Sequence, residues 1–176
     1  MLLLAPHPSA ASPAAADQDI VVDVQKNGSE ITVSVDCPVK APQAIVWEVL
    51  TDYDHMVAFI TNLEVSYVRS REGDTLQVFQ KGSASRGLLT FAFENLREIQ
   101  LVPRSEIRSR MISGNLKSSE FTTRVIDDGT QMHILNVGHF VPNIWVPPLI
   151  GPSVIAAETR KQFDEIRAEI LRRSAR

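Results

Sequence analysis

Residues 152–173, PSVIAAETRKQFDEIRAEILRR, carry the clearest information on how the chain folds. Several of its side chains recur at intervals of three or four, the spacing that places them on one stripe of an α-helix: Ile155, Thr159, Phe163, Ile166 and Ile170. The stretch closes the chain after a long run of predicted strands. A helix with such a stripe needs an apolar partner, so we predict an α+β fold in which a curved antiparallel sheet wraps around this helix.

The first strands form a hairpin whose register can be predicted. Asn27-Gly28 is typical of two-residue hairpin turns, and apolar residues alternate with polar ones on both sides of it. Pairing Lys26 with Ser29 makes one face wholly apolar, through the opposed pairs Ile20 and Val35, Val22 and Val33, and Val24 and Ile31. Two short helices are predicted next, one ending near Thr51 and one around residues 53–60. Further strands are predicted at about 62–71, 75–82, 88–101, 105–113, 117–127 and 130–141.

Asp128-Gly129 predicts a second tight hairpin near the end of the sheet. One face then carries three opposed pairs, and we predict that this is the concave face: Val125 with Met132, Thr123 with Ile134, and Phe121 with Asn136. His133 and His139 lie on the opposite face in this register. We therefore predict surface roles for both histidines and assign no catalytic residue.

The hairpin around Gly114 admits two registers. A two-residue turn at Gly114-Asn115 would point Arg108 and Arg110 to the face that carries Phe121. A three-residue loop reverses this, and we favour it because it opposes unlike charges: Arg110 with Glu120, and Glu106 with Arg124. The same alternation points five residues inward: Phe91, Phe93, Ile107, Ser109 and Met111.

The composition is that of an ordinary folded domain and excludes several kinds of function. The chain has 176 residues, of which 44% are hydrophobic and 22% charged, with a formal net charge of -3. A slight acidic excess argues against a nucleic-acid surface, which needs clustered Lys and Arg. Cys37 is the single cysteine, so no disulfide forms within the chain. No spacing of histidines or carboxylates predicts a metal site, and we predict no cofactor.

Residues 1–17 are predicted to stand apart from a single domain over residues 18–176. Met1 to Ala16 are rich in Leu, Ala, Ser and Pro and end in three alanines, which resembles a signal-peptidase site. The segment has no basic start, and its apolar run, Leu2 to Ala5, is short. Two interpretations stay open. Either the protein is exported to the periplasm and its leader begins upstream, or it is cytoplasmic with a disordered tail.

The order of elements and several segments resemble a known superfamily. Residues 46–54, VWEVLTDYD, lead to FITNL at 59–63, and the stretch 91–103 and the Gly114 hairpin follow. In these features the chain, over about residues 30 to 173, is similar to the START-like (SRPBCC) superfamily, in its polyketide cyclase/dehydrase and coenzyme Q-binding branch. The resemblance implies a helix-grip fold with a deep hydrophobic cavity. Thr61 stands where such proteins often have Pro.

Strand alternation and the implied cavity together predict the residues that contact a ligand. The cavity wall is predicted to contain Phe91, Phe93, Met111, Phe121, Thr123 and Ile134. The segment before the last helix is irregular because Pro147, Pro148 and Gly151 interrupt it. It is expected to lie at the cavity mouth, where we place a second group: Tyr53, Phe59, Trp145, Leu149, Ile150 and Val154.

These features favour binding over catalysis. We predict that the chain carries a hydrophobic small molecule, a lipid or an isoprenoid quinone, in the cavity without transforming it. An aromatase/cyclase acting on a polyketide-like substrate is the first alternative, and a ribosome- or protein-binding module is the second. The expected partners are the small molecule and, transiently, a membrane. Nucleic acid is excluded, and the oligomeric state is left open.

Overall fold

The computed structural model describes residues 19–86, 89–148 and 151–176, and within these ranges the side chains of residues 84–86, 89 and 91 lie outside the description. The strands are β1 Val21–Asn27, β2 Glu30–Val39, β3 Leu63–Glu72, β4 Thr75–Arg86, β5 Leu89–Val102, β6 Glu106–Gly114, β7 Leu116–Asp127 and β8 Met132–Pro142. The α-helices are α1 Gln43–Thr51 and α2 Gly151–Ser174, and a 3₁₀ helix spans Met56–Ala58. Residues 1–17, predicted as a signal-like or disordered segment, fall outside the described residues.

The strands of the described residues form one antiparallel sheet in the order β1-β2-β8-β7-β6-β5-β4-β3. This order leaves β1 and β3 as edges, so the sheet is open rather than a closed barrel. The sheet curves around α2, which packs against β1, β2 and α1. The predicted α+β helix-grip fold is therefore confirmed, with an α-helix and a 3₁₀ helix as the two short helices after the first strands.

The stripe predicted on the last helix is confirmed. Phe163, Ile166 and Ile170 are buried, and Ile170 is fully enclosed in the core. The main core beneath it is built from the alternating residues of β1 and β2 together with the buried side of α1, among them Ile31, Val33, Val35, Val46 and Val49. Burial of one apolar side chain of this size contributes about 1.5–3 kcal/mol, so this shared core holds the helix on the sheet.

The C-terminal end of α2 is tied to α1 by Arg173. Its Nη1 donates to Glu48 Oε1 and its Nη2 donates to Asp52 Oδ2, both at 2.7 Å. Its Nε donates to Glu169 Oε1 at 2.7 Å, and Glu169 is buried. Hydrogen bonds from Arg172 and Arg173 lower the pKa of Glu169 to about 2, although burial acts in the opposite direction. The helix is thus fixed at this end, while its other end follows the irregular segment.

The first hairpin has the predicted faces but not the predicted register. Asn27 pairs with Glu30, so the turn residues are Gly28 and Ser29, and Val22 lies opposite Val35. Gly28 has a φ of 59°, which favours glycine at the first central position of a tight hairpin turn. Asn27 therefore stays in the strand. The pairing moves by two residues, and an even shift keeps every side chain on its face.

The second hairpin is corrected in the same way. Val125 pairs with Ile134, Thr123 with Asn136, and Phe121 with Gly138. The loop spans Asp128 to Gln131 because the Asp128 carboxylate closes it. Its Oδ1 accepts hydrogen bonds from the backbone N–H groups of Thr130 at 2.7 Å and Gln131 at 2.9 Å. The predicted two-residue turn does not allow these hydrogen bonds. The shift of two residues again leaves every side chain on its predicted face.

The register chosen for the Gly114 hairpin is confirmed. Arg110 lies opposite Glu120, and Glu106 lies opposite Arg124. Arg124 Nε donates to Glu106 Oε2 at 2.7 Å, whereas Arg110 binds Glu98 of β5 at 3.1 Å. The β6–β7 ladder ends at the Arg110–Glu120 pair, so the two strands separate beyond it.

Candidate ligand cavity

A cavity of about 450 Å³ lies between the concave face of the sheet and α2. This volume falls within the roughly 300–1,000 Å³ that is typical of small-molecule sites. Most of its wall is apolar and comes from the strands, both helices and the 3₁₀ helix, including Leu50, Met56, Ile60, Phe93, Ile107, Phe121, Phe140, Ile155 and Phe163. The cavity is therefore suited to an apolar molecule, or to the apolar part of an amphipathic one.

The cavity has a closed end and an open end. Lining residues at the closed end are buried in the core: Tyr53, Met56, Ile60, Leu63 and Gln80. Lining residues that are also exposed mark the mouth: Ala92, Asn115, Asn143 and Ile144. The rim is held by hydrogen bonds, because Asn115 Nδ2 donates to Ala92 O at 2.8 Å and Asn143 Nδ2 donates to Asn115 O at 2.6 Å.

Five of the predicted site residues line this cavity: Tyr53, Phe93, Phe121, Thr123 and Val154. The register places Thr123 opposite Asn136, and the Thr123 side chain is held there because its Oγ1 accepts a hydrogen bond from Asn136 Nδ2 at 2.8 Å. Tyr53 lies at the closed end and not at the mouth, where it was expected. The side chain of Phe91 and the residues Leu149 and Ile150 fall outside the described part of the chain, so their placement stays a prediction.

Four predicted residues do not line the cavity. Ile134 is fully buried in the core, because the two-residue shift of β8 brings Asn136 opposite Thr123 in its place. Met111 is half-buried and pairs with Arg97 across the β5–β6 ladder. Phe59 packs against the core with its ring beneath the Arg173 guanidinium, 5.8 Å from the ring centroid. Trp145 is 77% exposed, although its neighbours Ile144 and Val146 line the cavity.

The sequence reasoning missed a polar group inside the cavity. Arg97 lies on β5 with the same alternation as Phe93, so it faces the concave side. Its Nη2 donates to Gln80 Oε1. Gln80 Nε2 donates to Ser66 Oγ at 3.0 Å, and Ser66 Oγ donates to the carbonyl oxygen of Tyr53 at 2.5 Å. The alternation that placed Phe93 inward was the signal that could have identified Arg97.

This polar group carries a positive charge that the described residues do not balance. No carboxylate of the described residues forms an ion pair with Arg97, and its Nε has no hydrogen-bond partner. The Oδ1 atoms of Asn62 and Asn95, which also line the cavity, are likewise buried without a partner. Burial lowers the pKa of Arg97 and raises the pKa of Tyr53 to about 12. An arginine side chain stays protonated in proteins, so the closed end holds one guanidinium cation beside the phenol of Tyr53.

The convex face carries a second, shallower depression of about 410 Å³. Its wall is mostly charged or polar and includes Glu98, Arg108, Arg110, Glu120 and His139. His133 lies on the same face, where its ring nitrogens contact Asp36 at 2.7 Å and Asp128 at 3.1 Å. Both histidines thus point away from the cavity, on the face that strand alternation predicted.

Among residues 19–86, 89–148 and 151–176 the structure shows neither a metal site nor a membrane-spanning helix. No group of three or more His, Cys, Asp or Glu side chains is arranged to hold a metal ion. Within the same ranges, neither helix is long and apolar enough to cross a bilayer.

An open sheet wrapped around a long C-terminal helix, with an apolar cavity between them, defines the START-like, helix-grip class of fold. The STAR-related lipid transfer protein of Xanthomonas axonopodis superposes with a TM-score of 0.71 at 11% identity, covering 90% of this chain and 97% of that one. The Zhui aromatase/cyclase of Streptomyces gives 0.67 at 16% identity, with 82% and 95% covered. A START superfamily protein of Mycobacterium smegmatis gives 0.67 at 12% identity, with 80% and 97% covered.

These likenesses establish the fold alone. No protein-family model matches the sequence, and neither does any curated protein. The resemblance to the START-like superfamily is thus confirmed for the fold, while the coenzyme Q-binding branch is not singled out.

Proposed function

We propose that the chain binds a hydrophobic small molecule, a lipid or an isoprenoid quinone, in the cavity and carries it without transforming it. The observation that carries the proposal is the apolar wall around a volume of about 450 Å³. A tail that buries ten methylene groups would gain about 8 kcal/mol at ~0.8 kcal/mol per methylene. Association costs roughly 4–15 kcal/mol, so affinity is expected to be modest and to rise with tail length.

The mouth of the cavity offers a route for loading. Ile144 and Trp145 are 56% and 77% exposed, and Ile144 also lines the cavity. Tryptophan is enriched where proteins meet the headgroup region of a membrane. We therefore propose that the carrier touches a membrane transiently with this segment while the ligand enters or leaves.

The test is native mass spectrometry of the purified full chain, combined with a charge placed in the cavity wall. Phe121→Arg puts an unpaired cation among apolar side chains, which costs several kcal/mol and should abolish retention of a lipid or quinone. Val137→Arg is the matched control, because Val137 lies on the neighbouring strand and is 52% exposed on the convex face. Equal ligand retention by the folded Phe121→Arg protein and the parent would contradict the proposal.

A second candidate function is favoured by one observation. Arg97 and the buried polar chain through Gln80 reach the closed end of the cavity, where a guanidinium could polarise a carbonyl oxygen. An aldol cyclisation of a polyketide would be accelerated by such a group, which stabilises the oxyanion that develops at the carbonyl. The two candidates separate on the mass of a bound poly-β-ketone: a carrier returns it unchanged, whereas a cyclase returns a product that has lost water. The protein-binding alternative has no comparable feature in its favour.

A further inference from the structure

The guanidinium of Arg97 has an N–H donor that no acceptor of the described residues satisfies. An arginine side chain offers five N–H donors in a rigid fork. Nη2 uses one of them on Gln80, and Nε–H is buried without an acceptor. A buried, unpaired donor on a charged group is costly, so an acceptor supplied by a ligand would stabilise this end of the cavity.

The described residues supply no counter-charge to the Arg97 guanidinium. Among the described residues no Asp or Glu forms an ion pair with Arg97. Of the residues outside the description, only Asp17 is acidic. Glu158 also lines the cavity, and it forms no ion pair with Arg97. Gln80 contacts Arg97 through a neutral oxygen, so it orients the guanidinium without neutralising it.

The orientation of the guanidinium is fixed before a ligand arrives. Gln80 is buried and is held by Ser66 Oγ, which is in turn held by the backbone of Tyr53. Val78, which pairs with Arg97 across β4 and β5, is fully buried and fixes the backbone beneath it. A preorganised donor pays little ordering cost when it binds an anion.

Resting on the carrier function proposed above, we propose that the ligand is an acidic amphiphile whose carboxylate is bound by Arg97 at the closed end of the cavity. The apolar tail then runs toward the mouth along Phe93, Phe121, Phe140 and Ile155. A carboxylate fits the fork of a guanidinium through two parallel hydrogen bonds. It also matches the single charge, whereas a phosphate monoester carries about -1.5 to -2 and would leave negative charge buried.

The test compares three probes of equal tail length: palmitate, hexadecanol and hexadecyl phosphate. The purified full chain should bind palmitate at least tenfold more tightly than hexadecanol, and also more tightly than hexadecyl phosphate. Arg97→Met, which keeps the length of the side chain and removes the charge, should abolish the preference for palmitate. Arg110→Met is the control, because Arg110 lies on the convex face; it should leave the preference unchanged.

The outcomes separate this inference from the function on which it rests. Equal binding of palmitate and hexadecanol by the parent chain overturns the acidic ligand and leaves the carrier intact. Tighter binding of hexadecyl phosphate overturns the carboxylate. Binding of none of the three overturns the carrier and the acidic ligand together. The comparison of the three probes on the parent chain is decisive even if Arg97→Met does not fold. Arg97→Lys keeps the charge without the fork and should retain part of the preference for palmitate.

Discussion

The backbone N–H of Thr61 donates a hydrogen bond to Glu165 Oε2 at 3.0 Å, and the Thr61 hydroxyl donates to Oε1 of the same carboxylate at 2.5 Å. These two bonds join the segment after the 3₁₀ helix to the C-terminal helix. Ile60, the residue before Thr61, lines the closed end of the cavity. The two bonds therefore hold the segment that contributes Ile60 to the cavity wall against α2. Proline at this position, which the resemblance to the START-like superfamily led us to expect, has neither donor.

Replacing Thr61 with Pro should lower the free energy of unfolding by about 1 kcal/mol, because both hydrogen bonds to Glu165 are lost at an exposed site. Thr61→Ser keeps both donors and should be close to neutral. Thr61→Val keeps only the backbone donor and should fall between them. Urea denaturation of the three variants measures the series, and a Thr61→Pro protein as stable as the parent would show that the two bonds contribute nothing.

Replacing His133 with Gln should destabilise the protein more at low pH than at high pH. The hydrogen bond that the His133 ring donates to the Asp36 carboxylate is the largest cause that raises the pKa of His133 above 6.5, and Asp128 contributes further. A raised folded-state pKa means that the stabilisation is fully present below 6.5 and is lost as pH rises through the folded-state value. Both carboxylates are about two-fifths exposed, so the effect should stay below about 1 kcal/mol.

Thermal unfolding at about pH 5.5 and about pH 8.5 measures this difference. His139→Gln is the matched control, because His139 lies on the same strand and face and makes no ion pair in the described part of the chain. A destabilisation of His133→Gln that is the same at both pH values would contradict the expected linkage. Neither substitution should change ligand retention, since both side chains point away from the cavity.

Replacing Gly138 with Ala should disturb the cavity wall. A Cβ atom at this position would lie 2.4 Å from Phe121 Cδ1 and 2.2 Å from the carbonyl oxygen of Glu120. The ring of Phe121 has to move toward the cavity, and overpacking of this kind costs about 1–3 kcal/mol. Both the unfolding midpoint and ligand affinity should fall. Val137→Ala, one residue away and exposed, should change stability by less than about 0.5 kcal/mol.

The faces of the sheet could be predicted from the sequence because alternation fixes them independently of where a turn lies. Both tight hairpins are displaced by two residues, and Val22, Thr123 and Phe121 nevertheless keep their faces. Alternation does not determine how far along the strand each residue lies, so a shift of two residues changes which side chain reaches the cavity. Ile134 was expected in the cavity for this reason, and Asn136 lies there instead. The turn residues depend on φ at Gly28 and on hydrogen bonds to the Asp128 side chain, which alternation does not contain.

The polar end of the cavity was harder to predict because it is assembled from distant parts of the chain. Tyr53, Ser66, Gln80 and Arg97 come from the segment after α1 and from three strands, and none of them forms a local motif. An arginine on an apolar face looks like a break in the pattern when the sequence is read alone. Its role becomes visible only when the face is known to enclose a cavity.

Replacing Trp145 with Ser should weaken contact with membranes while leaving the cavity unchanged. The side chain is 77% exposed and does not line the cavity, although Ile144 and Val146 on either side of it do. Partial insertion of an indole into the headgroup region is expected to contribute about 1 kcal/mol, or roughly fivefold in vesicle affinity. Co-sedimentation with phospholipid vesicles measures that loss, and ligand transfer between vesicles should slow by a similar factor. Val21→Ser removes a similarly exposed apolar residue from the edge strand β1 and should leave both quantities unchanged. If Trp145→Ser binds vesicles like the parent chain, the segment before α2 is not the surface that meets the membrane.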